Sequence, residues 1–331
     1  MTGVEVIHKY ITYIRDVRRY SPRTVSLYGD ALESFCSYIS MDDAADDLIP
    51  FLNVSQIRSY MVWLMDERHL TPKSVSLHMS ALSSFCRYLV KIGGMESNPV
   101  RLVRKPKVEK RLPEYYRNEA MEKYFADTEI YASQEYLDAF IASPNAGRSK
   151  KKLYEKRLAR LIISMFYATG LRRSELIGLK VGSVDLERKK LKVVGKGNKM
   201  REIPLLASLC EELLLYLKAV EALVESERSL KEPLLVTYTG RQLYPVYVDR
   251  AVKRQLGSAK EIKGRKSPHV LRHSIATELM NEGTDLNSIK ELLGHSSLAT
   301  TQVYTHSSFA RLKDIYEQAH PRAKNGGKNG D

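Results

Sequence analysis

The pattern of apolar and polar positions divides the chain into two parts of different kind. Through the first hundred residues the apolar positions recur at helical spacing. Val4–Arg15 and Val54–Asp66 read as amphipathic helices, each followed by one copy of an internal repeat. Residues 20–39, YSPRTVSLYGDALESFCSYI, align without gaps on residues 70–89, LTPKSVSLHMSALSSFCRYL, at an offset of 50. In each copy a hydroxyl residue, Ser21 or Thr71, precedes a proline, which predicts a helix N-cap with Pro at the first helical position. Leu27, Ala31, Leu32, Phe35 and Tyr38 then line one helix face, and Leu77, Ala81, Leu82, Phe85 and Tyr88 repeat it. The expected module is two related helix pairs forming an all-α domain over residues 1–100. Cys36 and Cys86 occupy equivalent apolar-face positions and read as small core residues.

Periodicity stops at residues 101–113, RLVRKPKVEKRLP, with six basic residues, one acid and two prolines. This reads as an extended basic linker. Residues 114–324 then alternate helices with one hairpin. Leu191–Val194 and Arg201–Leu205 flank the turn Gly195-Lys-Gly-Asn-Lys199. Leu161–Ala168 reads as a buried helix, and from Val270 onward the chain is mostly helical, with loops near Gly283, Gly294 and Pro321. Phe309, Leu312, Ile315 and Tyr316 predict a last amphipathic helix over Phe309–His320, and residues 325–331 read as a disordered tail. The expected fold class is mainly α with a small β-sheet.

Composition sharpens the functional reading. Of 331 residues, 43% are hydrophobic, enough for real cores. Lys and Arg number 53 against 39 Asp and Glu, a formal charge of +14 that favours a polyanionic partner, with nucleic acid first. Arg23 beside Thr24 and Lys73 beside Ser74 open the two repeated helices, where free backbone N–H groups suit phosphate; ordinary capping is the alternative. Arg104, Lys105 and Lys107 on the linker extend that expected DNA contact. Three cysteines without a CxxC pair exclude a disulfide scaffold. With no signal-like or membrane-length apolar run, the expectation is a soluble protein of a reducing compartment, without membrane contact.

Four polar segments in the second part carry the candidate chemistry. ATGLRRSEL holds Arg172 and Glu175 at i, i+3; GKGNKMREIPL holds Lys196 between two glycines; PHVLRHSIATELM holds His269 and Arg272 at i, i+3; LLGHSSLATTQVYTH holds His295 and Tyr304. Each alone is ordinary, since an Arg–Glu pair is usually a surface ion pair and a single His usually structural. Together they offer two arginines, one lysine, two histidines and a tyrosine. That set suits a dianionic phosphorane, with guanidiniums neutralising the non-bridging oxygens and a phenol attacking. The H-x₃-H spacing of His269 and His273 would suit zinc with His295, but Arg272 sets a cation beside the metal, so no metal and no cofactor is expected.

The order and wording of these blocks resemble the tyrosine site-specific recombinases, or phage integrases, most closely their Xer-like branch. The resemblance implies a SAM-like core-binding domain, the basic linker and a mixed α/β catalytic domain closing as a clamp on double-stranded DNA. It implies that Arg172 and Arg272 clamp the scissile phosphate and that Lys196 protonates the departing 5′ oxygen. His269 would accept or orient the tyrosine proton, His295 would bond a phosphate oxygen, and Tyr304 would form a 3′-phosphotyrosyl link, with Glu175 supporting the cluster. Strand exchange would follow in a tetramer coupled through the C-terminal helix, without ATP or metal, with or without a second recombinase, in the cytoplasm at the nucleoid. The alternatives are a DNA-binding protein without catalysis, a relaxing topoisomerase of the IB type and a metal-dependent nuclease. Phe125–Arg157 is longer than the corresponding stretch of typical Xer proteins, and its basic run Asn145–Lys152 reads as a solvated loop, with a DNA or subunit contact as the alternative.

Overall fold

The computed structural model describes residues 3–39, 47–107, 114–144, 148–195, 199–224, 228–294 and 320. Two compact units divide the chain, Met1–Arg111 and Leu112–Asp331.

The first unit is helical: α1 (Gly3–Thr12), α2 (Pro22–Tyr38), α3 (Val54–Asp66) and α4 (Pro72–Lys91). The repeat caps as its sequence predicts. The Ser21 hydroxyl accepts from the Thr24 backbone N–H and the Thr71 hydroxyl from that of Ser74, each with Pro at the first helical position. Ala31, Leu32 and Phe35 of α2 and Ala81, Leu82 and Phe85 of α4 are all within 1% of complete burial. Tyr10, Phe35, Tyr60 and Phe85 build an aromatic centre, with Phe35 edge-on to Tyr60 and Tyr10 edge-on to Phe85. Cys86 is buried and Cys36 half-buried against the same core. The expected linker starts later than Arg101. Pro99–Leu102 forms a 3₁₀ turn, and Val100 and Val103 enter the core, so the extended stretch begins after Val103. Two apolar residues amid basic ones hid this anchor.

The second unit contains α5 (Asn118–Asp127), α6 (Gln134–Ala142), α7 (Arg148–Thr169), α8 (Arg173–Gly178), a small sheet, α9 (Ala207–Val224), α10 (Pro245–Gly257), α11 (Pro268–Asn281) and α12 (Leu286–Leu293). The sheet has the antiparallel order β1 (Val184–Asp185), β2 (Lys190–Val194) and β3 (Met200–Pro204); the hairpin is as expected, and β1 is an addition too short to show a period. Every residue of α7 from Arg157 to Thr169 is buried, because other helices pack around this central one. The two arginines of this buried stretch, Arg157 and Arg160, therefore need partners. Arg160 donates to Glu212 at 2.5 Å and to Ser164 at 2.9 Å, completing a buried network. The basic run expected as a loop is instead helical from Arg148, and Lys150 is buried over the Phe140 ring. An unbroken apolar stripe lay downstream of it, but the charged start masked the period.

Candidate active site

Three arginines from three elements converge on the C-terminal end of α12. Arg172 caps α8 in extended backbone, at φ −76° and ψ 151°, one residue before the helix rather than on its face. Arg201 stands on β3 opposite Val193 of β2, and Arg272 lies in the first turns of α11. The last carbonyls of a helix lack partners within it and sit at the negative end of its dipole. Here each takes one guanidinium. Arg201 Nε donates to the Leu292 carbonyl at 3.1 Å, Arg272 Nη2 to that of Leu293 at 2.6 Å, and Arg172 Nη2 to that of Gly294 at 2.8 Å.

Glycine is required at both ends of this arrangement. Gly294 ends α12 in the left-handed region at φ +64°, and a Cβ there would lie 2.9 Å from Arg201 Nη1. Gly170 has φ +60°; its carbonyl accepts from Arg272 Nη1, and a Cβ on it would come within 2.5 Å of Leu293.

One carboxylate joins the cluster. Glu175 accepts from the Arg172 backbone N–H at 2.9 Å and from Arg172 Nη1 at 2.7 Å, and from Arg201 at 3.1 and 2.8 Å. Burial alone would raise its pKa, but the hydrogen bonds from Arg201 and Arg172 outweigh burial and hold the carboxyl at about 2. Arg272 is pushed down to about 10 by burial and by the neighbouring Arg172, yet stays protonated at neutral pH. The side chains of Arg201 and Glu175 are 6% and 4% exposed, whereas Arg172 is 33% exposed and turns the open side of the cluster to solvent. Three positive charges against one negative leave a surplus able to bind a phosphodiester and to stabilise added charge on it.

His269 lies one turn before Arg272 on the exposed side of α11, which Ser267 caps. Partial burial first, and then the positive surroundings of His273, Arg173, Arg272 and Arg265, lower its pKa below the usual histidine range, so it is neutral near pH 7 and able to take a proton. Arg173 is itself ion-paired with Asp249.

The sequence profile of the phage integrase family matches residues 134–311, and that of the phage integrase N-terminal SAM-like domain matches residues 7–93. The chain belongs to the phage integrase family. Among curated members it is 40% identical to the tyrosine recombinase XerC of Chlorobaculum parvum over 243 residues, 71% of this chain and 69% of that one. With the XerC of Haemophilus influenzae (strain PittEE) it shares 32% identity over 323 residues, covering 96% and 98% of the two chains. Like them, this integrase-family protein is a tyrosine recombinase. Two solved structures share its fold. XerH bound to a palindromic difH substrate has TM-score 0.63 at 23% identity, covering 94% of this chain and 84% of that one. A lambda integrase dimer bound to a COC′ core site has TM-score 0.57 at 19% identity, covering 92% and 100%.

Of the residues singled out from this recombinase's sequence, the fold brings Arg172, Glu175 and Arg272 together, with His269 on the adjoining helix turn. Lys196, His295 and Tyr304 lie outside the described residues, as do the helix expected near Ser297 and the last helix apart from its final residue. That residue, His320, is buried with its ring edge-on to Tyr167. Arg23 and Lys73 are exposed at their helix starts; Thr24 and Ser74 give their backbone N–H groups to the caps. Arg104, Lys105 and Lys107 are exposed, with Lys105 reaching the Ser80 hydroxyl at 3.1 Å. Sequence reasoning missed Arg201. Its signal was available: strand alternation puts it on the same face as Ile203, so an arginine stands in a core register and needs a buried acid. Among the described residues no helix is long and apolar enough to cross a membrane, and no His, Cys, Asp and Glu cluster suits a metal.

Proposed function

We propose that the protein recombines double-stranded DNA at a defined site by cutting and rejoining strands through a 3′-phosphotyrosyl bond to Tyr304. The observation that carries this reading is the pair Arg172 and Arg272, held on consecutive carbonyls beside one buried carboxylate with Arg172 open to solvent. In the proposed reaction both guanidiniums bind the non-bridging oxygens of the scissile phosphate. The Tyr304 hydroxyl attacks phosphorus and its proton passes to His269, which its surroundings keep neutral. The bond from phosphorus to the 5′ oxygen breaks, and Lys196 supplies that oxygen's proton. His295 bonds a phosphate oxygen. The phosphotyrosyl ester conserves the bond energy, so a 5′ hydroxyl of a second strand reseals it by the reverse steps without ATP or metal.

The DNA grip is proposed to use Arg23, Lys73, Arg104, Lys105 and Lys107, with Thr24 and Ser74 at the helix starts. Solved relatives described as a dimer on a core site and as a tetramer on a Holliday junction support self-association on DNA. The proposed tetramer is joined through the C-terminal segment, so truncation after Ser308 is expected to abolish cooperative assembly on DNA; unchanged cooperativity would remove that coupling.

A nicked suicide substrate carrying the protein's own site, incubated in EDTA, tests the chemistry. The unmodified protein is expected to accumulate a covalent DNA adduct and Tyr304→Phe to form none. Absence of an adduct from the unmodified protein, with binding intact, leaves a DNA-binding protein without catalysis.

A further inference from the structure

The buried Arg201 is outside the set of residues expected to touch DNA, yet it makes three side-chain hydrogen bonds in the cluster against two each for Arg172 and Arg272. It forks onto both oxygens of Glu175, donates a third bond to the Leu292 carbonyl, and is 6% exposed. It also fills the space that glycine leaves at Gly294 and packs beside Gly195. A Cβ on Gly294 would meet its guanidinium at 2.9–3.0 Å, and one on Gly195 would lie 3.5 Å from it. Gly195 closes the β2–β3 hairpin by donating to the Lys199 carbonyl at 2.8 Å. Arg201 thus joins three pieces of chain: the hairpin end, the start of α8 and the end of α12.

The charge consequence is specific. Glu175 bonds Arg172 through the same oxygen that also accepts from Arg201. With Arg201 present, the carboxylate's charge is shared and Arg172 keeps most of its own for a ligand. With Arg201 removed, Glu175 is left with Arg172 alone as an ion-pair partner, and Arg172 is neutralised where it faces solvent. We infer that Arg201 is a positioning residue of strand cleavage, taking up the charge of Glu175 and tying it to the end of α12 so that Arg172 and Arg272 present their charge to the phosphate. This deepens the proposed reaction and rests on that reading of Arg172 and Arg272. Arg201 touches no reacting atom; it acts through Glu175.

A double-mutant cycle on single-turnover cleavage at saturating DNA tests it. Loss of one unit charge a few ångströms away in a partly buried site changes a rate by roughly one to two orders of magnitude, so Arg201→Met is expected to slow cleavage by about that much with little change in DNA affinity. The decisive comparison is in the Glu175→Gln background. Glutamine keeps the acceptor for the Arg172 backbone but carries no charge, so adding Arg201→Met there is expected to cost less than about a tenth of its effect in the unmodified protein. The double variant also removes the buried carboxylate charge that Arg201 shares, so comparing its denaturant midpoint with that of Arg201→Met separates a loss of stability from a loss of cleavage. An equal loss in both backgrounds would overturn the inference, as would Arg201→Met cleaving at the unmodified rate. If the unmodified protein forms its covalent adduct while the cycle is additive, only the role of Arg201 fails; if no adduct forms, the proposed reaction itself fails.

Discussion

Gly294 shows how much of the site depends on single atoms. Its positive φ and the guanidinium packed against it leave no room for a Cβ. Gly294→Ala is expected to lose about 1–3 kcal/mol of stability from the left-handed backbone alone, read as a lower denaturant midpoint with unchanged slope. Glu175 adds a pH dependence whose sign follows from linkage. Its carboxyl is held at about 2 in the folded protein against an ordinary value of 4.5. The stability it contributes is therefore complete above pH 4.5 and is lost as pH falls toward 2. Stability curves of Glu175→Gln should be flatter than the unmodified protein's across that window; parallel curves would contradict the buried charge. His269 sets the pH dependence of activity in the same direction. Its pKa is lowered, so cleavage should stay level on descending past pH 6.5 and fall only at lower pH.

At the scale of elements, most of the architecture was legible because the period was clean. The repeated helices, their hydroxyl caps, the hairpin and the stop at Gly294 all follow from local rules that tertiary packing did not override. What was hidden had mixed signals. The start of α7 reads as a charged loop because Arg148, Lys150, Lys151 and Lys152 crowd its first turns, and only packing shows that Lys150 is inside. Arg201 was missed because a catalytic inventory looks for residues that face a ligand, whereas this one faces the protein. Arg172, Glu175 and Arg272 were legible because their local blocks are distinctive, but the helix end that gathers them lies over 100 positions from Arg172 and is revealed only by folding. The Arg160–Glu212 pair of α7 and α9 offers an independent check on the core. With both side chains at most 4% exposed, Arg160→Met should cost roughly 3–5 kcal/mol by taking the balancing cation from the buried Glu212, and the Arg160→Met, Glu212→Leu double variant should regain most of it.

Across the whole molecule, the formal charge of +14 sets the expected behaviour toward DNA. Binding should weaken steeply with salt as phosphate contacts release counterions. Arg23→Ala with Lys73→Ala should lower affinity and reduce the slope of log K against log salt by about 2; an unchanged slope would show that these helix starts are not the phosphate seats. Whether Arg172 and Arg272 are aimed at the charge of one scissile phosphate is open to a single direct measurement. Cleavage rates of Arg272→Ala are compared on a natural suicide substrate and on one whose scissile phosphate is replaced by a neutral methylphosphonate. On the natural substrate the loss should be roughly 10²–10³-fold, and on the neutral substrate it should shrink at least tenfold. A loss of the same size on both substrates would contradict the claim.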